Sequence, residues 1–252
     1  MDLGLAGCRA AVAASSSGLG LAAARALVND GVEVAICGRD ETRLKAAADE
    51  LRALGGTVVA LVADLGSPDG AIKFVTGAAD ELGGPIDILV ANAGGPPAGT
   101  FATTAIDAYR TAFELNVLST VAMCQQAVPP MQQAGWGRVV AITSIGARQP
   151  IGSLAASTVA RTGVTGFLKV LAGEVAGDGV TVNSVQPGVH ATDRLRRLHP
   201  GDLDALRGDV PSGRLGDPDD FGAVVAFLCS RQAGFITGAS VPVDGGASRG
   251  LQ

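Results

Sequence analysis

The stretch from residue 10 to residue 39 places the strongest constraint on what this chain can become. Residues 10–13 form a short apolar run, 15–20 a turn of small residues, 19–29 a helix-like segment, and 32–37 a second apolar run. That order predicts a strand–turn–helix–strand unit. From Ser15 through Ser16, Ser17, Gly18 and Leu19 to Gly20 the side chains are mostly small or absent. Backbone N–H groups at a helix N-terminus can therefore face a phosphate directly. An ordinary tight strand–helix turn would use the same residues. Dinucleotide-binding turns usually carry a further glycine; here Ala14 stands where it is expected.

The same rhythm runs on to the C-terminus. Strand-like runs recur at residues 57–62, 86–91, 138–143, 180–185 and 240–243, and most are nearly continuous in Val, Ile, Leu and Ala, which marks strands buried on both faces. Helical stretches are expected at 41–54, 69–82, 104–134, 155–176 and 217–230, with Pro68 and Pro218 placed as first-turn prolines. Strands alternating with helices give an α/β class with helices on both sides of a mostly parallel sheet. No linker, charge block or low-complexity segment divides the chain, so one domain over residues 1–252 is expected.

With 47% hydrophobic residues the chain can bury a sizeable core. A net charge of −5 argues against a nucleic-acid or anionic-membrane partner. Cys8, Cys37, Cys124 and Cys229 are dispersed without metal-ligand spacing, so reduced thiols and no metal site are expected. Asp2 stands where a secretory leader would be basic, and no apolar run reaches membrane-spanning length. A cytoplasmic location follows as the expectation.

In a doubly wound sheet the ligand crevice lies beyond the carboxyl ends of the strands, so single residues there matter. Arg39 follows the second strand, where an acid would bind the ribose hydroxyls of NAD and a base suits the 2′-phosphate of NADP. Asp40 is next in sequence and leaves both readings open, with NADP(H) preferred and NAD(H) possible; Arg39 as plain surface charge is the alternative. Asp64, followed by Leu65, ends the third strand and can accept from an adenine amino group or simply cap a turn. Asn92, Ala93 and Gly94 end the fourth.

These residues, taken together, resemble a known family. Residues 15–20, Asp64-Leu65, Asn92-Ala93-Gly94, Asn116-Val117, Thr143-Ser144, Pro187-Gly188 with Thr192, Ile236-Thr237-Gly238 and Val243-Asp244-Gly245-Gly246 fall in the order carried by the short-chain dehydrogenase/reductase family. Its 3-oxoacyl-[acyl-carrier-protein] reductase-like branch is the most similar. The resemblance implies a Rossmann-type doubly wound, seven-stranded parallel sheet, a nicotinamide cofactor and a homo-oligomer, tetramer or dimer. It also implies that residues 15–20, Arg39, Asp64, Leu65, Asn92, Ala93, Gly94, Arg161, Pro187, Gly188 and Thr192 bind the cofactor, with Thr192 at the carboxamide of the nicotinamide.

The family's chemistry is carried by an Asn, a Ser, a Tyr and a Lys. Asn116 and Ser144 match the first two, but Ser157 and Arg161 occupy the Tyr and Lys positions. Tyr109, the single tyrosine, lies on another predicted helix. A serine hydroxyl is a far weaker acid than a phenol and its side chain is shorter, so Ser157 does not inherit the proton transfer. It can hydrogen-bond the substrate oxygen directly or through water. Arg161 keeps the positive charge without titrating near neutral pH. Spaced four apart on a helix, Ser157 and Arg161 share a face and can join Ser144 in stabilising a developing alkoxide.

A proton donor is then needed, and His190 beyond the sixth strand is the candidate; a solvated loop histidine is the alternative. Arg148 faces the same pocket or the surface. Residues 190–214 are expected to form a substrate lid carrying Arg194, Arg196, Arg197, His199, Asp202, Asp204 and Asp209. Its arginines either recognise a carboxylate or phosphate on the substrate or simply solvate a helix. The function these readings favour is NADP(H)-dependent interconversion of a ketone and a secondary alcohol, with a small-molecule substrate. The alternatives are a catalytically silent nucleotide- or partner-binding protein, and a non-redox elimination or isomerisation on the same scaffold.

Overall fold

Apolar runs that can be covered on both faces settle into parallel strands, each followed by a helix that crosses back over the sheet. The computed structural model describes residues 2–198, 201, 203 and 205–250. Its strands are β1 (Arg9–Val12), β2 (Glu33–Gly38), β3 (Val58–Val62), β4 (Ile88–Ala91), β5 (Gly137–Ile142), β6 (Val180–Pro187) and β7 (Ser240–Val243). Its helices are α1 (Gly18–Asn29), α2 (Glu41–Arg52), α3 (Pro68–Glu81), α4 (Ile106–Phe113), α5 (Ser119–Ala134), α6 (Ala155–Val175), α7 (Asp193–Leu198) and α8 (Pro218–Cys229). The strands form one 7-stranded sheet in the order β3-β2-β1-β4-β5-β6-β7, parallel throughout.

Alternate residues of each strand feed opposite helix layers. Ala11 and Ala13 pack with Phe74, Met123 and Val164 of α3, α5 and α6. Ala10 and Val12 face the other way, onto Leu27, Leu44 and Phe221 of α1, α2 and α8. The caps are local. Asp40 accepts from the Arg43 N–H at 3.0 Å, Ser67 from Gly70 at 3.2 Å and Asp217 from Asp219 at 2.9 Å, which starts α2, α3 and α8. Cys37, Cys124 and Cys229 are buried, their thiols pushed up to about 12 by burial, and Cys8 is half-buried.

One expected element is divided. The helix anticipated over 104–134 is α4 and α5 joined by a π turn over Glu114–Leu118. Side chains compete for its backbone ladder. Asn116 Nδ2 donates to the Ala112 carbonyl at 3.0 Å, Thr120 Oγ1 to Asn116 at 2.7 Å, and Ser119 Oγ to Leu115 at 2.5 Å. Three carbonyls shared with side chains widen one turn of the helix, and Asn116 sits at its centre.

The turn after β1 carries the one non-glycine residue with positive φ among the described residues, Ala14 at 46°. It is held there from both ends. Its N–H reaches Cys37 Sγ at 3.3 Å, and its carbonyl accepts from Asn92 Nδ2 at 3.2 Å. Gly20 permits this approach, since a Cβ there would fall 2.6 Å from the Ala14 carbonyl oxygen. Left-handed backbone costs an L-residue on the order of 1 kcal/mol that glycine avoids. Ala14→Gly is therefore expected to raise stability by up to about 1 kcal/mol, seen as a rise of about 2–4 °C in Tm. An unchanged or lower Tm would show that Ala14 carries no strain.

Candidate functional site

The carboxyl ends of the strands open between β1 and β4, where the strand order reverses. The first turn of α1 faces this opening. Gly18, Leu19 and Gly20 begin the helix, where N–H groups have no intrahelical acceptor; the Ser17 side chain makes no capping bond and no acid lies in the first turn. Such an end favours an anion. Leu19 itself packs against the α1–α2–α8 core. Ser15 departs from expectation. Its Oγ donates to Val12 at 2.6 Å and accepts from the Cys37 N–H at 3.2 Å, while its own N–H bonds the Cys37 carbonyl at 2.9 Å. Fully buried, Ser15 braces β1 against β2 and has no donor left for a phosphate.

At the end of β2 the structure separates two adjacent charges. Asp40 is occupied, capping α2 and pairing with Arg43 at 3.6 Å. Arg39 is exposed and makes no ion pair among the described residues. Ser16 lies against Gly38, with its Oγ 2.7 Å from where a Cβ there would be, so a hydroxyl adjoins the strand end that presents Arg39. Asp64 is exposed and accepts from the Gly66 N–H at 3.0 Å, an Asx turn that leaves its other oxygen to solvent. Leu65 is buried in the core. Asn92 spends its amide on Ala14, and Gly94 is exposed.

Of the expected catalytic residues, Ser144 and Arg161 are placed at the ends of β4 and β5. Ser144 follows β5 in extended backbone; its Oγ accepts from the Gly146 N–H at 3.0 Å, which leaves the hydroxyl hydrogen to donate. Arg161, on α6, is buried. Its Nη1 donates to the Ile142 carbonyl at 2.7 Å and its Nη2 to Ala93 at 3.2 Å, while Nε has no partner. Burial, with a smaller push from the Arg194 charge, lowers this guanidinium to about 10, so it remains a cation at neutral pH. Ser157 is half-buried one helical turn before Arg161, with no hydrogen bond among the described residues. Asn116 is buried, and its Oδ1 has no donor.

Other expected residues lie elsewhere. Tyr109 lines a surface hollow with Phe113, Leu118 and Val159, and Val159 is on the exposed side of α6. Arg148 is exposed and donates to the Ser240 carbonyl of β7 at 3.2 Å. His190 is neither exposed nor at the crevice edge. Its ring meets Phe221 edge-on at 5.1 Å, Nδ1 lies 3.3 Å from the Gly188 carbonyl, and its backbone bridges Gly216. Burial lowers the imidazole below its ordinary value, only partly opposed by the Gly188 carbonyl and the carboxylates of Asp217, Asp220 and Asp244.

Pro187 ends β6, and Gly188 bonds the Val243 carbonyl at 3.0 Å. Thr192 lies near Gly18 across the opening, its methyl 3.9 Å from where a Gly18 Cβ would stand. Thr192 Oγ1 also accepts from the Leu195 N–H at 3.4 Å, at the start of α7. His199, Asp202 and Asp204 lie outside the described residues. Two buried groups were not singled out from sequence. Gln186, on β6, has neither amide atom partnered, and neither has Thr158 Oγ1. Gln186 stands in a run that already carries Thr181, Asn183 and Ser184, so the sequence offered no signal that set it apart. Among the described residues no three His, Cys, Asp or Glu side chains are placed to hold a metal, and no helix is long and apolar enough to cross a membrane.

Comparison with known proteins agrees with the fold. Residues 13–248 match the family model described as enoyl-(acyl carrier protein) reductase. The chain is 33% identical over 244 residues to dehydrogenase/reductase SDR family member 4 of Sus scrofa, covering 96% of this chain and 88% of that one. It superimposes on L-sorbose reductase from Gluconobacter frateurii, solved with NADPH and L-sorbose, with a TM-score of 0.92 at 31% identity over 100% of both chains. A short-chain dehydrogenase/reductase variant from Serratia marcescens gives 0.89 at 33% identity, over 97% of this chain and 99% of that one.

Because native His190 takes up a proton less readily than the unfolded chain, its contribution to stability is complete above about pH 6.5 and drains as pH falls toward the lower native value. His190→Phe removes the titration while keeping a ring against Phe221. The loss of Tm between about pH 7 and about pH 5 is expected to be smaller in the variant. Equal losses would mean that the ring protonates freely in the folded state.

Proposed function

The chain belongs to the short-chain dehydrogenase/reductase family of oxidoreductases, and on that premise we propose that it interconverts a ketone and a secondary alcohol using NADP(H) without a phenol at its active site. One observation carries the reading. Arg161 holds a permanent cation, fixed by backbone carbonyls, at the carboxyl ends of β4 and β5 near Ser144. That is where a carbonyl gains negative charge during reduction.

The cofactor residues fit NADP(H). An exposed, unpaired Arg39 beside Ser16 suits a 2′-phosphate, whereas the neighbouring acid that would favour NAD is spent on α2. The open amides of Gly18, Leu19 and Gly20 suit the pyrophosphate. When bound, the nicotinamide supplies or accepts the hydride. Ser144 donates its hydroxyl hydrogen to the substrate oxygen, and Arg161 stabilises the charge that develops there. Ser157 directs a water to the same oxygen, and solvent supplies the proton through it. His190 is left out of this scheme because its ring is enclosed. Asn116 Oδ1 and Arg161 Nε, an acceptor and a donor both buried without partners on packed elements, are the groups an internal water would join. Exposed Phe113, Val159 and Val170 support self-association through the long helices.

NADPH oxidation with a panel of ketones tests the reading. Ser144→Ala is expected to lower kcat by about 10²–10³-fold with little change in NADPH affinity. Cofactor binding without turnover of any ketone would favour the silent-protein alternative. Arg39→Ala is expected to weaken NADPH binding by about tenfold or more and NADH binding little. Equal effects on the two cofactors would remove Arg39 from the 2′-phosphate site.

A further inference from the structure

The connections that follow β5 and β6 both rest on one short turn after β7. Asp244 folds that turn, its Oδ1 accepting from the Gly246 N–H and its Oδ2 from the Ser248 N–H, each at 2.9 Å. Gly188, just beyond β6, packs so closely that a Cβ there would fall 2.7 Å from Asp244 Cβ. Ser212, ahead of α8, donates its N–H to the Gly245 carbonyl at 3.0 Å. Arg249 then donates its backbone N–H to Gln149 Oε1 at 2.8 Å.

Gln149 belongs to the turn that carries Ser144. The Gly146 N–H bonds Ser144 Oγ at 3.0 Å, the Ala147 N–H bonds the Ser144 carbonyl at 3.0 Å, and the Gln149 N–H bonds the Ile145 carbonyl at 2.9 Å. Strand β5 holds this turn at its start. At its far end stands Pro150, which offers no N–H to hold it. Side chains tether the rest. Arg148 Nη2 donates to the Ser240 carbonyl at 3.2 Å, Thr162 Oγ1 to the Ala147 carbonyl at 3.3 Å, and Gln149 accepts from Arg249 at the shorter 2.8 Å. A reacting hydroxyl misplaced by about 1 Å can cost on the order of 10²-fold in rate, so the tether of its turn matters.

We propose that Gln149 is a positioning residue for Ser144, seating its hydroxyl by locking the turn over 144–149 to the turn after β7. The inference rests on the oxidoreductase reading above and adds a residue that acts through the turn, not on the reacting atoms. The side-chain oxygen of Gln149 carries the effect, because Arg249 contributes a backbone N–H. A glutamate oxygen can make the same bond; a leucine of similar size cannot.

The test measures ketone reduction by the full-length protein with NADPH. Gln149→Leu should lower kcat by about three- to tenfold, the range of one lost hydrogen bond, with KM and NADPH affinity close to those of the wild type. Gln149→Glu should recover most of that loss. Arg249→Pro, which removes the donor N–H, should lower kcat as Gln149→Leu does and by more than Arg249→Ala, which keeps the N–H. Combining Gln149→Leu with Arg249→Pro should cost no more than the larger single loss, since both break one bond. An unchanged kcat in Gln149→Leu would overturn the proposal. So would a loss confined to KM, no recovery in Gln149→Glu, or single losses that multiply in the double variant. Exchange of the Gly146 amide hydrogen reads the seat of Ser144 without turnover, because that N–H is bonded to the hydroxyl oxygen. Gln149→Leu should speed this exchange several-fold and Gln149→Glu should not. If no ketone is reduced, faster exchange upholds the positioning and places the failure with the redox reading; unchanged exchange rejects the positioning whatever the turnover.

Discussion

Strand β1 is hydrogen-bonded to β2 on one side and to β4 on the other, and the chain leaves these neighbours for opposite layers of the molecule. Because all the strands run the same way, their carboxyl ends gather on one edge, and the reversal of strand order parts the helices there. The knot around Ala14 fixes this point. Cys37 from β2 and Asn92 after β4 both bond to one residue of the β1–α1 turn. The same contacts that close the sheet therefore set the attitude of α1 toward the opening. Stability and ligand geometry are coupled at that turn.

A second constraint is charge without a phenol. The positions that carry tyrosine and lysine in the resembled family hold a hydroxyl that stays neutral and a guanidinium that stays charged. Arg161 is longer than lysine and planar, and it uses that reach to bond carbonyls at the ends of two strands. Fixed in this way it offers electrostatic stabilisation with little reorganisation, but it cannot exchange a proton near neutral pH. In the proposed reaction the proton comes from solvent, and the half-buried hydroxyl of Ser157, which has no hydrogen bond among the described residues, is suited to pass it on.

The sheet was legible in the sequence because period and composition are local properties. Apolar runs named every strand, and first-turn prolines at Pro68 and Pro218 named two helix starts. The break at Asn116 was not legible. It arises from side chains competing for carbonyls within one turn, and a hydrophobic pattern does not record that competition. Ser15 misled for a related reason, since a small polar residue in a turn can face a ligand or brace two strands. Arg39 and Asp40 were inseparable as neighbours until the cap on α2 claimed the acid.

By itself the sequence determined the class of fold, the order of its elements, and which chemical groups stand at the strand ends, because these follow from short-range pattern and from position along the chain. Only the tertiary structure decided which of those groups remain free to act. His190 is enclosed by Phe221 and Gly216, and Arg161 is brought near Arg194, through contacts between residues distant in sequence. Burial and counter-charge are properties of surroundings, and surroundings exist only once the chain has folded.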